Sequence, residues 1–88
     1  MFIAIVHEIH DPAKFQKCAE AVFPLPEGLH AHQFFPSSDL GQAVCLYEAS
    51  TLDDLRDYID GTLEDASTQH YFPVAEPHAM GLPARQLT

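Results

Sequence analysis

Six histidines stand in a chain of 88 residues. Two of them, His30 and His32, are one residue apart in a segment of strand-forming character, Leu29 to Phe35. On a strand, residues two apart project from one face with their Cα atoms about 6.5–7 Å apart. Two imidazoles at that separation can converge on one ion, and neutral imidazole suits Zn, Ni or Fe. Glu48 joins the pair. A hairpin that pairs Phe35 with Ala43 sets His32 opposite Leu46 and His30 opposite Glu48, all on one face. An acid that shares the parity of the apolar Val44 and Leu46 needs a partner if the strand is covered, and His30 is the natural one. Such a His-carboxylate unit can ligate a metal, orient a ligand or act as a general base. The plainer alternative is a structural hydrogen bond, or a strand end in water.

Other residues offer chemistry less directly. His7 closes the first strand, with His70 on the last strand as its expected neighbour, so the two form a second polar cluster or stand in solvent. Tyr47 either offers a phenol to a cavity or fills the core, and Cys45 on the same face reads as a small core residue, as does Cys18. His78 lies in a tail whose path is open, and it reaches the region of His32 if that tail crosses the sheet. The metal candidates are therefore His30, His32, Glu48, His7 and His78. The acid-base candidates are His30, His32, Glu48, His7 and Tyr47. There is no Gly-rich phosphate loop, nucleophile elbow or C-x-x-C pair, so a nucleotide cofactor has no support. The acids from Asp53 to Asp65 lack the spacing of a calcium loop and read as a solvated helix face.

The elements that must position these groups follow from local pattern. Phe2 to Ile9 is a β-branched apolar run, a first strand. Asp11-Pro12 then opens a helix whose core stripe is Phe15, Cys18, Ala19 and Val22, and Pro24-Leu25-Pro26 stops it. Leu29–Phe35 and Ala43–Ala49 form a hairpin around the turn formers 36–41. Ser50-Thr51 caps a second helix with Leu52, Leu55, Ile59 and Leu63 on one face, which Gly61 ends or bends. A last strand is expected at about 68–74, with Pro73 at an edge position. Strand-helix-strand-strand-helix-strand folds most simply as a ferredoxin-like α+β sandwich, a four-stranded antiparallel sheet with both helices on one face.

Length allows one domain, residues 1–88, with 75–88 as a C-terminal extension. In strands 1 and 3 the apolar residues occupy both parities, so both sheet faces should be covered. A homodimer through the open face is the simplest cover, and the tail folded across it is the other. The net charge of −9 argues against nucleic acid and anionic membrane as partners. The apolar start Met1–Val6 is short and lacks a basic leader, so the expectation is a cytoplasmic protein with free thiols.

With Asp11-Pro12 opening the first helix, a hairpin and a closing strand, the chain resembles the dimeric α/β-barrel superfamily of ferredoxin-like proteins. In length and histidine content it is also similar to nickel-binding proteins of that fold. The resemblance implies a homodimer that binds a divalent transition metal, Ni or Zn, or a small ligand, in a histidine-lined pocket on the open sheet face. It also implies an alternative, a cofactor-independent isomerase or hydrolase using a His-Glu pair. Quinol-type monooxygenases of the superfamily call for Trp and Asn, and this chain has neither.

Overall fold

The computed structural model describes residues 1–87, so Thr88, the last residue of the expected extension, lies outside the described residues. The elements are β1 (Phe2–Ile9), α1 (Pro12–Glu20), β2 (Leu29–Pro36), β3 (Gln42–Ala49), α2 (Leu52–Leu63) and β4 (Ser67–Pro73). Short 3-10 turns follow α2 at Glu64–Ala66 and β4 at Glu76–His78. The strands make one antiparallel sheet in the order β2-β3-β1-β4. This is the ferredoxin-like α+β architecture. No helix among the described residues is long and apolar enough to cross a membrane.

The helices begin where their caps require. The Asp11 side chain accepts from the Lys14 amide at 3.1 Å with Pro12 at the first helical position, and Thr51 accepts from the Asp54 amide at 3.1 Å. Leu55, Ile59 and Leu63 from α2 and Phe15 from α1 pack on Ile3, Ile5, Cys45 and Tyr47, one parity of the central strands. Gly61 does not end α2. The helix runs through it to Leu63, whose burial outweighs the ~1 kcal/mol that a helical glycine costs. Gly28 turns the chain into β2 at φ +90°, a conformation that a Cβ would strain.

Two departures from regular pairing shape the site. The hairpin closes one residue out of the expected register, with Pro36 rather than Phe35 opposite Ala43. A β-bulge between Ala31 and Gln33 then absorbs one residue, His32, and returns His30 to its place opposite Glu48. Had the pairing run on without the bulge, Ala31 would face Glu48.

The second sheet face is covered only in part. At one end the tail returns over it, with the Arg85 guanidinium 5.1 Å from the centre of the Phe2 ring and Arg85 paired with Glu76. Phe2, Leu46 and Glu48 are buried there. Toward the other end Phe35 and Val44, paired across the hairpin, remain 61% and 46% exposed, and on the β4 edge Phe72, opposite Ala4, is 50% exposed.

Truncating Leu55 to Ala should cost about 2–5 kcal/mol, because it empties the centre of the core. Thr51→Ala should cost only about 1 kcal/mol through the lost cap. Urea midpoints of the two variants check the ranking.

Candidate functional site

Two polar clusters lie back to back across β3. The first, on the partly covered face, centres on Glu48, which is 1% exposed. Its Oε1 accepts from His32 Nε2 at 2.8 Å and from the Gln86 amide at 2.8 Å, and its Oε2 accepts from the Leu87 amide at 3.2 Å. The bulge is what turns His32 onto the carboxylate. His32 rather than the expected His30 is thus the imidazole partner. His30 stands against His32 with ring centroids 4.6 Å apart at 61°, and Phe2 packs on the other side of His32 at 5.4 Å. Burial raises the pKa of Glu48, but the Gln86 amide, His32 and the Leu87 amide together outweigh it and hold the group at about 2.

Among the described residues no group of three or more His, Cys, Asp and Glu side chains is arranged to hold a metal ion. The reason is visible at Glu48, where both carboxylate oxygens are already taken by two amides and an imidazole. His7 lies on the opposite side of the sheet, and His78 is exposed on the turn 76–78. The candidate ligands His30, His32, Glu48, His7 and His78 are thus not gathered into one such group among the described residues.

The second cluster lies between the sheet and the helices, on a cavity of about 290 Å³. Phe15 and Ala19 of α1, Ile59 and Leu63 of α2, and Ala31 and Phe34 of β2 make apolar walls. Phe34 stacks on Phe15 with centroids 6.5 Å apart, and Phe23 and Phe34, both more than half exposed, open the cavity to solvent. The polar or weakly polar residues of its lining are His7, Cys45 and Tyr47 from β1 and β3, and His32 and Gln33 from β2. His7 was expected in water or beside His70. It is instead 4% exposed and pairs across the strands with Gln69, while His70 sits opposite Val6 on the other face.

The hydrogen bonds around His7 have a fixed direction. Gln69 Nε2 donates to Asp60 Oδ1 at 2.8 Å, so the Gln69 oxygen faces inward, where Ser67 also donates to it. An oxygen only accepts, so His7 Nδ1, 3.2 Å away, carries the proton. Burial lowers the pKa of His7, against the opposing pull of the Gln69 bond and Asp60, and the ring is neutral at pH 7. Nε2 is then a lone pair, and the Cys45 thiol donates to it at 3.1 Å. Burial pushes that thiol up to about 12, so it is protonated. Burial also raises the pKa of Tyr47, with Cys45 adding to the shift, so the phenol keeps its proton. No described residue takes up the Tyr47 hydroxyl.

Cys45 and Gln69 are functional candidates that the sequence reading did not single out. The available signal was parity: His7, Cys45, Tyr47, Gln69 and Tyr71 are polar or weakly polar residues on the helix-facing side of three adjacent strands. Comparison of the chain with protein-family models, with curated proteins and with solved structures returns no match. The site must be judged on its own geometry.

Two titrations check this geometry. The depressed Glu48 pKa means that its share of stability is complete above pH 4.5 and is lost as pH falls toward about 2. Glu48→Gln should flatten this part of the stability profile, and should speed amide exchange at Gln86 and Leu87 in the folded protein. The His7 ring should titrate below 6.5 by NMR, and Gln69→Leu should move its midpoint lower still, because the Gln69 bond favours the charged ring. Since the folded His7 pKa is depressed, its share of stability is present above pH 6.5 and is lost as pH falls below it.

Proposed function

We propose that this chain is a small homodimeric binding protein for a neutral, largely apolar small molecule that carries one carbonyl or hydroxyl group. The single observation that carries the reading is the cavity of about 290 Å³, with mostly apolar walls and a few polar groups, His7, Cys45 and Tyr47 among them. Ligand sites share this design: apolar contacts supply affinity and a few placed polar groups orient the molecule. No charged side chain of Asp, Glu, Lys or Arg lines the cavity among the described residues. An ionic ligand would therefore lose its hydration without gaining a partner. The histidine that serves the ligand in this reading is His7, on the helix side of the sheet, while Glu48, with His32 bonded to it, holds the chain's end in place on the other side.

The dimer is proposed through the end of the sheet face that the tail leaves bare. Phe35 and Val44 are an exposed apolar pair there, Phe72 is exposed on the β4 edge of the same face, and Met80 in the tail is 96% exposed. A stable dimer buries about 800 Å² on each partner.

The saturated ketone 4-phenyl-2-butanone should bind saturably, read as a thermal shift and as chemical-shift changes at Ala31 and Leu63. Filling the cavity with Ala31→Phe should weaken this binding by about tenfold or more, since the volume the ring would occupy is gone. Absence of saturable binding in the parent chain overturns the ligand reading. In light scattering the chain should have twice the monomer mass, and Val44→Glu should return it to the monomer by placing a charge in the buried face.

A further inference from the structure

The hydrogen-bond chain through His7 on the cavity lining has the parts of a nucleophile with its base. Cys45 Sγ lies 3.1 Å from His7 Nε2, and His7 is oriented through Nδ1 by Gln69 at 3.2 Å. Gln69 is held in turn by Asp60 at 2.8 Å. A thiol buried only for packing needs none of this. Cys18, half-buried on α1, lacks such a base and lies outside the cavity lining. Resting on the reading of the cavity as a site for a neutral carbonyl compound, we propose that Cys45 is a nucleophile toward a small apolar α,β-unsaturated ketone or aldehyde bound there, with His7 as its base.

The class of electrophile follows from what the cavity holds. Acyl transfer concentrates charge on a tetrahedral oxyanion and expels a leaving group, which calls for several converging donors and a proton source. Among the described residues the lining holds one hydroxyl, that of Tyr47, two residues along β3 from Cys45 and on the same face, while of the β2 lining residues His32 gives its Nε2 to Glu48 and Gln33 is two positions beyond the Ala31 wall. Conjugate addition spreads its charge over an enolate and asks for a donor at one oxygen. As the thiol sulfur forms a bond to the β-carbon, its proton passes to His7 Nε2. The π electrons of the double bond move toward the carbonyl oxygen, where the Tyr47 hydroxyl donates a hydrogen bond. The proton on Nε2 then moves to the α-carbon, leaving a neutral thioether, an intact carbonyl and neutral His7. Every atom is retained, no oxidant or reductant is needed, and the reverse step releases the unsaturated compound.

Burial opposes a resting thiolate-imidazolium pair, so the proton is transferred as the carbon-sulfur bond forms. The titratable groups that face His7 are Cys45 and Tyr47 on β3, Tyr71 on β4 and Asp60 on α2, while α1 presents the Phe15 ring edge-on at 5.5 Å. Among these only Asp60 is an acid. Above its lowered pKa His7 is fully available as a base, so the addition rate should vary little between pH 7 and 8.5. An unassisted thiol gains about tenfold per pH unit over the lower part of that range, until its own pKa of about 8.5.

The test uses the full chain and the unsaturated ketone 4-phenyl-3-buten-2-one, followed by intact mass and peptide mapping, with Cys18 as the internal reference. The expected result is one adduct, on Cys45, that saturates with probe concentration and forms at least about tenfold faster than the Cys18 adduct at pH 7. It should have the flat pH profile, and Cys45→Ser should abolish it. If 4-phenyl-2-butanone binds saturably but Cys45 in the folded chain stays unmodified, the nucleophile proposal is overturned and the binding reading stands. A Cys45 rate that climbs about tenfold per pH unit removes His7 as the base and overturns the proposal without recourse to any variant. If neither ketone binds and no adduct forms, both readings fall.

Discussion

A carboxylate cannot be left dry and unpartnered, and Glu48 is the most deeply buried charge-bearing residue described in this chain. Meeting that demand organises one whole side of the molecule. Glu48 sits on β3, takes an imidazole from β2, and takes two backbone amides from a segment nearly forty residues further along the chain. Breaking any one contact leaves the others to neutralise a group that water cannot reach. The terminal segment lacks regular structure, yet its path is set by this one acceptor and by Arg85 over Phe2. The β-bulge belongs to the same constraint, because it brings two histidines to the acid instead of one alanine.

The strand that carries Glu48 also separates two chemistries. On one side an ionised acid is fully satisfied by donors, which makes it a fastener and leaves it little capacity for anything else. On the other side Cys45 and Tyr47 look into a cavity whose remaining walls are mostly apolar. His7 is buried there in its neutral form, so its lone pair is directed at a thiol and, beyond it, at empty volume. A group whose bonding capacity is exhausted holds structure together. One whose capacity ends at a cavity is placed to meet a ligand.

The order of elements and both helix caps were legible in the sequence because they depend on residues within a turn or two of each other. The α2 stripe of Leu52, Leu55, Ile59 and Leu63 is of this kind. The pairing of His30 with Glu48 was legible for a less direct reason: the loop register is off by one, and the bulge at His32 cancels the error. A bulge has no dependable local signature, so His32 as the partner of Glu48 was out of reach. Gly61 misled because its cost is local, whereas the gain from burying Leu63 is tertiary. His7 was misplaced because its burial depends on Cys45 and Gln69, which come from two other strands far away in sequence.

Most of the acids on α2 point into water, and Asp60 is exposed like its neighbours. It differs in what it holds: the Gln69 amide and the Tyr71 hydroxyl both donate to its Oδ1. Because a carboxylate oxygen only accepts, the orientation of Gln69 is decided at the protein surface, and with it the tautomer of a histidine inside. With the His7 lone pair taken by the Cys45 thiol, a carbonyl guest turns to the Tyr47 hydroxyl. The handedness of recognition in the interior is therefore written by a solvent-facing residue that never touches the guest. An amide in place of Asp60 would let Gln69 turn over, which reverses the His7 tautomer and leaves the Cys45 thiol hydrogen to point into the cavity without a change in its shape.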